Sequence, residues 1–305
     1  MFSFRNLRIY RLSRDIDLSA ETVATALAND RFKAAAGLEM KRLGWVSPFG
    51  RSSEELLLAN GKNLLICLQI EEKLLPSSVV KQELDDACEA REAESGQPVS
   101  RRDKNALKEA ITQKLLPLAF SRLRRRFAAI LPSEGLVVVD SSSASAAEEL
   151  LGHLRRSLGS LPVSPASSNS APATVMTSWL GDAPWPTGMV VGDEAELKAT
   201  SDDGGIVRCR NQDLRGEEIA VHLAAGKRAV ALALTFNDRL SFVLAEDLSV
   251  RRLRYLDTLK EQAEAQGEDG RARLDADFAL MAGELKTLLP ALAAAFDGWA
   301  EAPGV

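Results

Sequence analysis

Cysteine, histidine and tyrosine are scarce in this chain of 305 residues, which contains three, two and two of them. Cys67, Cys88 and Cys209 are odd in number and far apart, so the sequence offers no disulfide framework and no CxxC metal pair. His153 and His222 have no cysteine or second histidine beside them, which argues against a zinc site. We therefore expect neither a metal nor another cofactor, and the odd number and wide spacing of the cysteines favour a reducing, cytoplasmic location.

Long apolar runs are also missing. No window approaches the roughly 18 uninterrupted apolar residues of a membrane span, and the longest runs, such as residues 229–234, have the length of a strand. The N-terminal segment MFSFRNLRIYRLSR alternates apolar and basic residues and has no continuous apolar core of a signal peptide. We predict a protein without membrane contact.

Nucleotide-binding loops are incomplete. Gly61-Lys62 and Gly226-Lys227 resemble fragments of a P-loop, which requires a glycine five residues before its Gly-Lys pair and a serine or threonine after the lysine. Leu56 and Val221 stand at the glycine positions, and neither lysine is followed by serine or threonine. Both pairs are interpreted as the C-terminal ends of helices.

Acidic residues do not form a convincing catalytic group. Asp193-Glu194 and Glu196 precede Leu197 like the acidic first turn of a helix. Asp275 and Asp277 are two residues apart on a predicted helix, so their carboxylates point in different directions. We predict that the protein is not an enzyme, and a nuclease that uses Asp275 and Asp277 is the most distant alternative.

Positive charge is strongly segregated in this acidic protein. The net charge is −5 and the isoelectric point is near 5.4, yet residues 101–126 contain nine basic side chains and two acidic ones. Such segregation marks a candidate electrostatic surface for nucleic acid. The basic residues are Arg101, Arg102, Lys104, Lys108, Lys114, Arg122, Arg124, Arg125 and Arg126.

The last part of this basic segment fits an amphipathic helix. At about 100° per residue, Phe120, Leu123 and Phe127 fall on one side, and Arg122, Arg125 and Arg126 fall on the other, with Arg124 at the flank. This arginine helix would display its charge for contact with phosphates, with Lys104, Lys108 and Lys114 as further candidates. Pairing of the arginines with the acidic stretches 83–94 or 257–284 is the open alternative.

A second basic region lies in the later half of the chain. Strands are predicted at 229–236, 240–244 and 249–255, with a tight turn at Asn237-Asp238. In the motif IVRCRNQDL, Arg208 and Arg210 share one strand face and Gln212 follows them; an exposed edge protected by charge is the alternative. Lys227 and Arg228 would extend the patch, and Arg252 and Arg254 form another alternating basic pair.

The fold class is predicted as α+β, with two related sheet-plus-helix lobes and a helical extension. The predicted segments are an N-terminal lobe at 1–76, a helical extension at 77–130, a strand-helix segment with a linker at 131–175, a second lobe at 176–256 and a helical segment at 257–305. A weak likeness between residues 58–80 and 223–244 suggests the relation between the lobes. The serine-rich stretch 164–174 is predicted to be a flexible linker.

Motifs along the whole chain resemble the RdgC family of bacterial recombination-associated proteins. They are FRNLRIYRLSR from Phe4, LGWVSPFG from Leu43, ANGKNLLICLQIEEKLLPSSVVKQ from Ala59, LLPLAFSRL from Leu115, GLVVVDSSSASAAEELLGHLRRSLGSLPVSP from Gly135, DEAELK from Asp193, DDGGIVRCRNQDLRGEEIAVHLAAGK from Asp202 and DADFALMAGEL from Asp275.

The resemblance implies a cytoplasmic, nucleoid-associated protein without catalytic activity. It implies a ring-shaped homodimer that encircles double-stranded DNA with little sequence preference, restrains RecA-promoted recombination and acts in replication-fork repair. Single-stranded DNA is a further ligand that the sequence leaves open. Phe120, beside the arginines, is a core residue or a candidate contact to a partner subunit. The alternative function is a protein-only regulator whose arginine helix binds RecA or replication proteins without touching DNA.

Overall fold

A computed structural model describes residues 2–13, 16–35, 37–51, 53–181, 183–200, 204–256, 259 and 270–301. They form a mixed α+β fold with two sheets and seven α-helices, which confirms the α+β part of the prediction. The strands are β1 (Arg8–Leu12), β2 (Lys41–Val46), β3 (Leu57–Asn60), β4 (Asn63–Leu74), β5 (Phe120–Leu131), β6 (Leu136–Val139), β7 (Val163–Pro165), β8 (Met189–Ala199), β9 (Ile206–Cys209), β10 (Lys227–Phe236), β11 (Leu240–Ala245) and β12 (Val250–Tyr255). The helices are α1 (Ala20–Asn29), α2 (Ser77–Ser95), α3 (Arg101–Leu115), α4 (Ala144–Leu158), α5 (Pro172–Leu180), α6 (Glu217–Ala224) and α7 (Gly270–Ala295).

The larger sheet has seven strands and the smaller has five. The hydrogen-bonded order in the larger sheet is β2-β4-β5-β6-β1-β7, with β3 paired to β4. The order in the smaller sheet is β12-β11-β10-β8-β9, and all its pairs are antiparallel. Strands predicted at 229–236, 240–244 and 249–255 are present as β10, β11 and β12, and Asn237 and Asp238 form the predicted turn with positive φ angles.

The chain divides into two compact units. Unit 1 comprises Met1–Asn29, Ser47–Cys67 and Arg126–Val305, and unit 2 comprises Asp30–Val46 and Leu68–Arg125. The boundaries of the two units differ from those of the five predicted segments, because each unit is assembled from stretches that are distant in sequence.

Unit 1 contains a large apolar core built around α7. Phe278, Met281, Leu285 and Leu288 of this helix are fully buried. They pack with residues of the five-stranded sheet such as Leu232, in one continuous cluster. By length and composition alone α7 could also cross a membrane, but its apolar side chains are used here to build this core.

Unit 2 contains the predicted helical extension as a pair of helices. Val80, Leu84 and Cys88 of α2 pack against Ile111 of α3 in a small core of their own. Helix α2 ends at Gly96, which has a φ of 65°, and Ser100 caps α3 by accepting a hydrogen bond from the backbone N–H of Asp103. Both helices of the extension are therefore confirmed as far as Leu115.

The predicted arginine helix is wrong. After a 3₁₀ turn at Leu116–Leu118, the segment forms β5, whose register with β6 pairs Ala128 with Val139. The spacing of Phe120, Leu123 and Phe127 also fits a helix, but Phe120 and Leu123 are exposed and bury no helical face. The local pattern fits either a helix or a strand, and hydrogen bonding to the neighbouring strands selects the strand.

Three further expectations are corrected. Asp193, Glu194 and Glu196 lie on strand β8 and not at the start of a helix. Gly61 lies in the turn between β3 and β4, where Asn60 pairs with Asn63; Gly226, in contrast, follows the end of α6 as predicted. The two segments of the sequence likeness thus begin differently, because residue 58 lies in strand β3 and residue 223 lies in helix α6.

The serine-rich stretch is not a flexible linker. Residues 163–165 form β7, which pairs with β1, and Ser168 forms a bridge with Trp299. The Ser170 side chain also donates a hydrogen bond to Asp297. Backbone pairing holds this stretch within unit 1, despite a composition that is typical of linkers.

The Arg239–Glu284 ion pair ties the turn after β10 to helix α7. Both Nε and Nη2 of Arg239 donate to Oε1 of Glu284, at 3.0 and 2.6 Å, and the Glu284 side chain is only 10% exposed. We expect Arg239→Met to lower the free energy of unfolding by about 3 kcal/mol at neutral pH, because it leaves a carboxylate buried without its partner. The loss would be measured by denaturant unfolding.

Arg42→Met is the matched control, because Arg42 pairs with Glu39 at an exposed site and the change should cost less than about 1 kcal/mol. Equal losses for the two variants would contradict this account.

Candidate nucleic-acid interface

The first half of β5 is an exposed basic strand. Residues 120–125 are all exposed, whereas residues 128–131 are buried. Neighbouring side chains of a strand point to opposite faces, so Arg122 and Arg124 share one face and Leu123 and Arg125 share the other. The arginines predicted on one helical face are therefore divided between two faces of a strand.

Glu72 of β4 binds an arginine on one of these faces. Arg122 Nη2 donates to Glu72 Oε2 at 3.1 Å, and both side chains are partly exposed. This hydrogen bond is the main reason that the pKa of Glu72 lies below its ordinary value, and the charges of Arg122, Arg124 and Lys41 lower it further. We call Glu72, Lys41, Arg122 and Arg124 the strand cluster; it contains three cations and one carboxylate.

The other basic residues of the 101–126 segment have different surroundings. Arg126 is largely buried, and its Nη1 donates to the Ala146 carbonyl at 2.6 Å and to Glu149 at 3.3 Å. Lys104, Lys108 and Lys114 are exposed on α3. Arg126 therefore serves the fold, while the lysines and Arg125 remain exposed to solvent.

Exposed apolar side chains flank this basic strand. Phe120 is 85% exposed, Leu118 is 77% exposed and Leu123 is 46% exposed. By strand alternation Phe120 lies on the face of Arg122, whereas Leu123 lies on the opposite face. Large apolar side chains that are exposed are candidates for an interaction surface. Phe120 is therefore not a core residue.

The five-stranded sheet carries a second basic surface on the face opposite to the α7 core. Two adjoining depressions, of about 370 and 200 Å³, share Glu194, Val243 and Arg252, and we call them together the sheet-face cleft. Small side chains such as Ala231 and Ala233 line it. Its charged residues are Arg208, Arg210, Arg251, Arg252, Arg254, Asp193, Glu194 and Glu196, so five arginines face three carboxylates.

A bulge in β12 brings three arginines to this cleft. The register with β11 shifts between Ser241 and Val243, and Arg252 has a φ of 53°, a left-handed conformation that is uncommon for a side chain of this size. Strict alternation would turn Arg251 to the core face. The bulge instead buries Val250, Leu253 and Tyr255 and leaves Arg251, Arg252 and Arg254 exposed.

Glu194 of β8 binds the central arginine of this cleft. Arg252 Nη1 and Nη2 donate to its two carboxylate oxygens at 3.3 and 2.5 Å. This bond is the main reason that the pKa of Glu194 lies below its ordinary value, and the charges of Arg252, Arg210 and Arg254 add to the effect. A second pair in the cleft joins Arg208 Nε to Glu196 Oε2 at 2.8 Å, directly across β8 and β9.

The structure brings some of the predicted residues of this region together and separates others. Arg208 and Arg210 line the sheet-face cleft, and Gln212 lies beside it, with its backbone N–H bound to the Asp193 carbonyl and its side chain to Glu218. Lys227 donates to the Gly205 carbonyl at 3.0 Å, and Arg228 donates to the Thr174 hydroxyl at 3.2 Å. Lys227 and Arg228 do not line the cleft.

The sequence reasoning missed Arg251 and the role of Glu194. The alternation of Arg252 and Arg254 signalled a basic strand, but nothing in the sequence shows a bulge that adds Arg251 to the same side. Glu194 was interpreted as a helix-start residue, so its place beside three arginines could not be anticipated.

The acidic residues considered for a nuclease are separated by burial. Asp277 is buried and accepts a hydrogen bond from the backbone N–H of Phe2 at 2.5 Å. Among the residues that the structure describes, no group of three or more His, Cys, Asp or Glu side chains is arranged to hold a metal ion. Asp277 thus has a structural role.

Removal of Arg252 should raise the pKa of Glu194 toward the ordinary value of about 4.3. The folded pKa is lowered, so the contribution of this pair to stability is present above the unfolded pKa and is lost as the pH falls through the folded one. Carboxyl-carbon NMR titration of Arg252→Ala would measure the shift. Arg271→Ala, which removes a partner of Glu55, is the control and should leave Glu194 unchanged; an unchanged Glu194 titration in Arg252→Ala would contradict the assignment.

Comparison with known proteins identifies the family. Residues 1–299 match the family model described as "Putative exonuclease, RdgC". The recombination-associated protein RdgC of Aeromonas hydrophila is 44% identical over 296 residues, which cover 97% of this chain and 98% of the relative. The proteins of the same name from Psychromonas ingrahamii and Yersinia pestis are each 42% identical, over 97% and 99% of this chain and 98% and 100% of the relatives. The chain belongs to the RdgC family of recombination-associated proteins.

Proposed function

We propose that this protein binds double-stranded DNA without sequence preference, encircles the duplex as a ring-shaped homodimer and restrains RecA-mediated recombination in replication-fork repair. The observation that carries the proposal is the sheet-face cleft, in which five arginines line an open sheet surface. No catalytic step is part of the proposal, and it places the protein in the cytoplasm, on the nucleoid.

The cleft suits a phosphate backbone better than base edges. Guanidinium groups donate to phosphate oxygens in pairs, and such contacts supply affinity without sequence information. The arginines converge from β9 on one side of the sheet and from β12 on the other. The small residues between them leave room for a backbone to approach closely.

The exposed strand of unit 2 offers a second set of phosphate contacts. Arg124 and Arg125 are exposed, and Lys104, Lys108 and Lys114 are exposed on α3. The overall charge of −5 repels DNA from the remaining surface, so binding would be confined to these regions. This combination supports a localised grip by an acidic protein.

The exposed apolar residues beside the basic strand support self-association. We propose that Leu118 and Phe120 are covered by a second copy of the chain, because burial of exposed aromatic and aliphatic side chains favours association. A ring of two copies needs contacts at two places, and this surface would supply one of them. A closed ring would retain DNA even where each phosphate contact is weak.

Restraint of RecA would follow from occupancy of the duplex by this protein. A protein that covers duplex DNA with no sequence preference limits the access of RecA filaments to that duplex. The names of the relatives connect them with recombination, which supports this part of the proposal.

A second function is supported by the same apolar residues. Phe120 shares a face of β5 with Arg122 and Arg124, and a surface that is both apolar and basic also fits an acidic protein partner. RecA or a replication protein could be that partner, without direct contact to DNA. The two functions are separated by DNA affinity measured with no other protein present.

Loss of cleft arginines should weaken binding to all duplexes alike. We expect Arg210→Ala with Arg254→Ala to lower affinity for two unrelated duplexes by similar factors, and each lost phosphate contact should reduce the slope of log affinity against log salt by about 0.9. Fluorescence anisotropy over a salt series measures both. Lys286→Ala is the control, because Lys286 lies on α7, outside the cleft, and forms an ion pair with Glu134. If the double variant behaves like this control, the cleft is not the DNA surface.

A charge in place of the exposed Phe120 side chain should weaken the dimer. We expect Phe120→Asp to shift the protein from dimer to monomer in sedimentation velocity at micromolar concentration, with thermal stability unchanged because the residue is exposed. Val221→Asp, at a side chain of α6 that is 66% exposed, introduces the same charge elsewhere and should leave the dimer intact. An unchanged dimer in Phe120→Asp would place the interface on another surface.

A further inference from the structure

The sheet-face cleft already contains an anion that belongs to the protein. The Glu194 carboxylate receives two hydrogen bonds from Arg252, in the two-pronged arrangement by which arginine also binds phosphate. Arg210 and Arg254 line the depressions that Glu194 shares. A carboxylate in this position occupies the same donors that a DNA phosphate would use.

The Glu194 carboxylate contributes little to the stability of the fold. The Glu194 side chain is 31% exposed and that of Arg252 is 51% exposed, and exposed ion pairs of this kind add little to stability. The conformation of Arg252 is fixed by other groups as well: its backbone N–H donates to Asn6 Oδ1 at 3.3 Å, at the bulge of β12. The arginine would therefore remain at the cleft without its carboxylate partner.

The strand cluster repeats the arrangement independently. Glu72 accepts a hydrogen bond from Arg122, with Arg124 and Lys41 close enough to lower its pKa. Glu194 and Glu72 are thus each a partly exposed carboxylate that accepts a hydrogen bond from an arginine and lies near two further cations.

We propose that Glu194 is an internal competitor for DNA phosphate, which holds Arg252 in the free protein and must release it when the backbone binds. The inference rests on the proposed function and deepens it. The carboxylate lowers the affinity of the cleft and thereby limits the lifetime of each contact. For a protein that grips any duplex, this keeps binding reversible, so that retention depends on closure of the ring and not on tight local contacts.

The test replaces the charge and keeps the shape. Glu194→Gln retains a hydrogen-bond acceptor for Arg252 but removes the negative charge. With the full-length protein and one duplex, we expect about fivefold tighter binding at about 50 mM salt, on the order of one unit charge at contact distance in a solvated site. The gain should shrink at about 200 mM salt because of screening. Glu72→Gln should change affinity in the same direction.

The matched control is Glu55→Gln. Glu55 also binds an arginine with both oxygens, at 2.6 and 2.8 Å from Arg271, and it is partly exposed, so this variant makes the same change in net charge outside the cleft. Binding by Glu194→Gln that equals that of Glu55→Gln would overturn the inference. Weaker binding would also overturn it, because it would show that Glu194 orients Arg252 for DNA.

A second probe separates this inference from the proposed function. Immobilised heparin presents sulfate groups without DNA, and Glu194→Gln should elute from it at higher salt than wild type and Glu55→Gln. If wild type does not bind duplex even at low salt, the proposed function fails, whereas later elution from heparin would still support competition at the cleft. If wild type binds duplex but elution from heparin and DNA affinity are both unchanged in Glu194→Gln, only the competition is refuted.

Discussion

The two-sided nature of the five-stranded sheet is the constraint on which the proposed site depends. One face supplies Leu232, Leu234 and Phe236 to the core with α7, so the side chains that alternate with them must face away. Along β10 these are small residues such as Ala231 and Ala233. Because α7 covers one face of the sheet, these small residues leave a shallow open surface on the other face. The charge of that surface comes mainly from the arginines of the edge strands β9 and β12.

Bulges adapt this sheet to its surface. The pairing of β8 with β10 shifts register between Leu232 and Leu234, and that of β11 with β12 shifts between Ser241 and Val243. The first shift lies at residues 192–194 and the second at Arg252, so the two partners of the Glu194–Arg252 pair both sit at irregular positions. Bulges redirect side chains at sheet surfaces, and here they bring carboxylate and guanidinium together.

The sequence predicted the composition of the basic surfaces better than their geometry. The fold class, the helices α2 and α3 and strands β10 to β12 follow from periodicity and turn residues, and the family follows from long motifs. The arginine segment failed because Phe120, Leu123 and Phe127 fit a helix by spacing, and only the hydrogen-bonding partners of β5 decide against it.

The cleft could not be predicted for a different reason. Arg208 and Arg210 are visible as a basic strand, but Glu194 and Arg251 reach them only through pairing across β8 to β12 and through bulges with no local signal. Similarly, Lys227 and Arg228 were expected to extend the basic patch of Arg210, yet they bind Gly205 and Thr174 outside the cleft. Membership of one basic region of the sequence therefore does not establish adjacency on the surface.

The salt dependence of DNA binding tests the central claim most directly. Fluorescence anisotropy of the wild-type protein with two duplexes of unrelated sequence, at about 50 and about 200 mM salt, would give four affinities. A grip through many phosphates predicts equal affinities for the two duplexes and a fall of orders of magnitude between the two salt concentrations. Absence of binding at the lower salt concentration, or strong preference for one duplex, would contradict it.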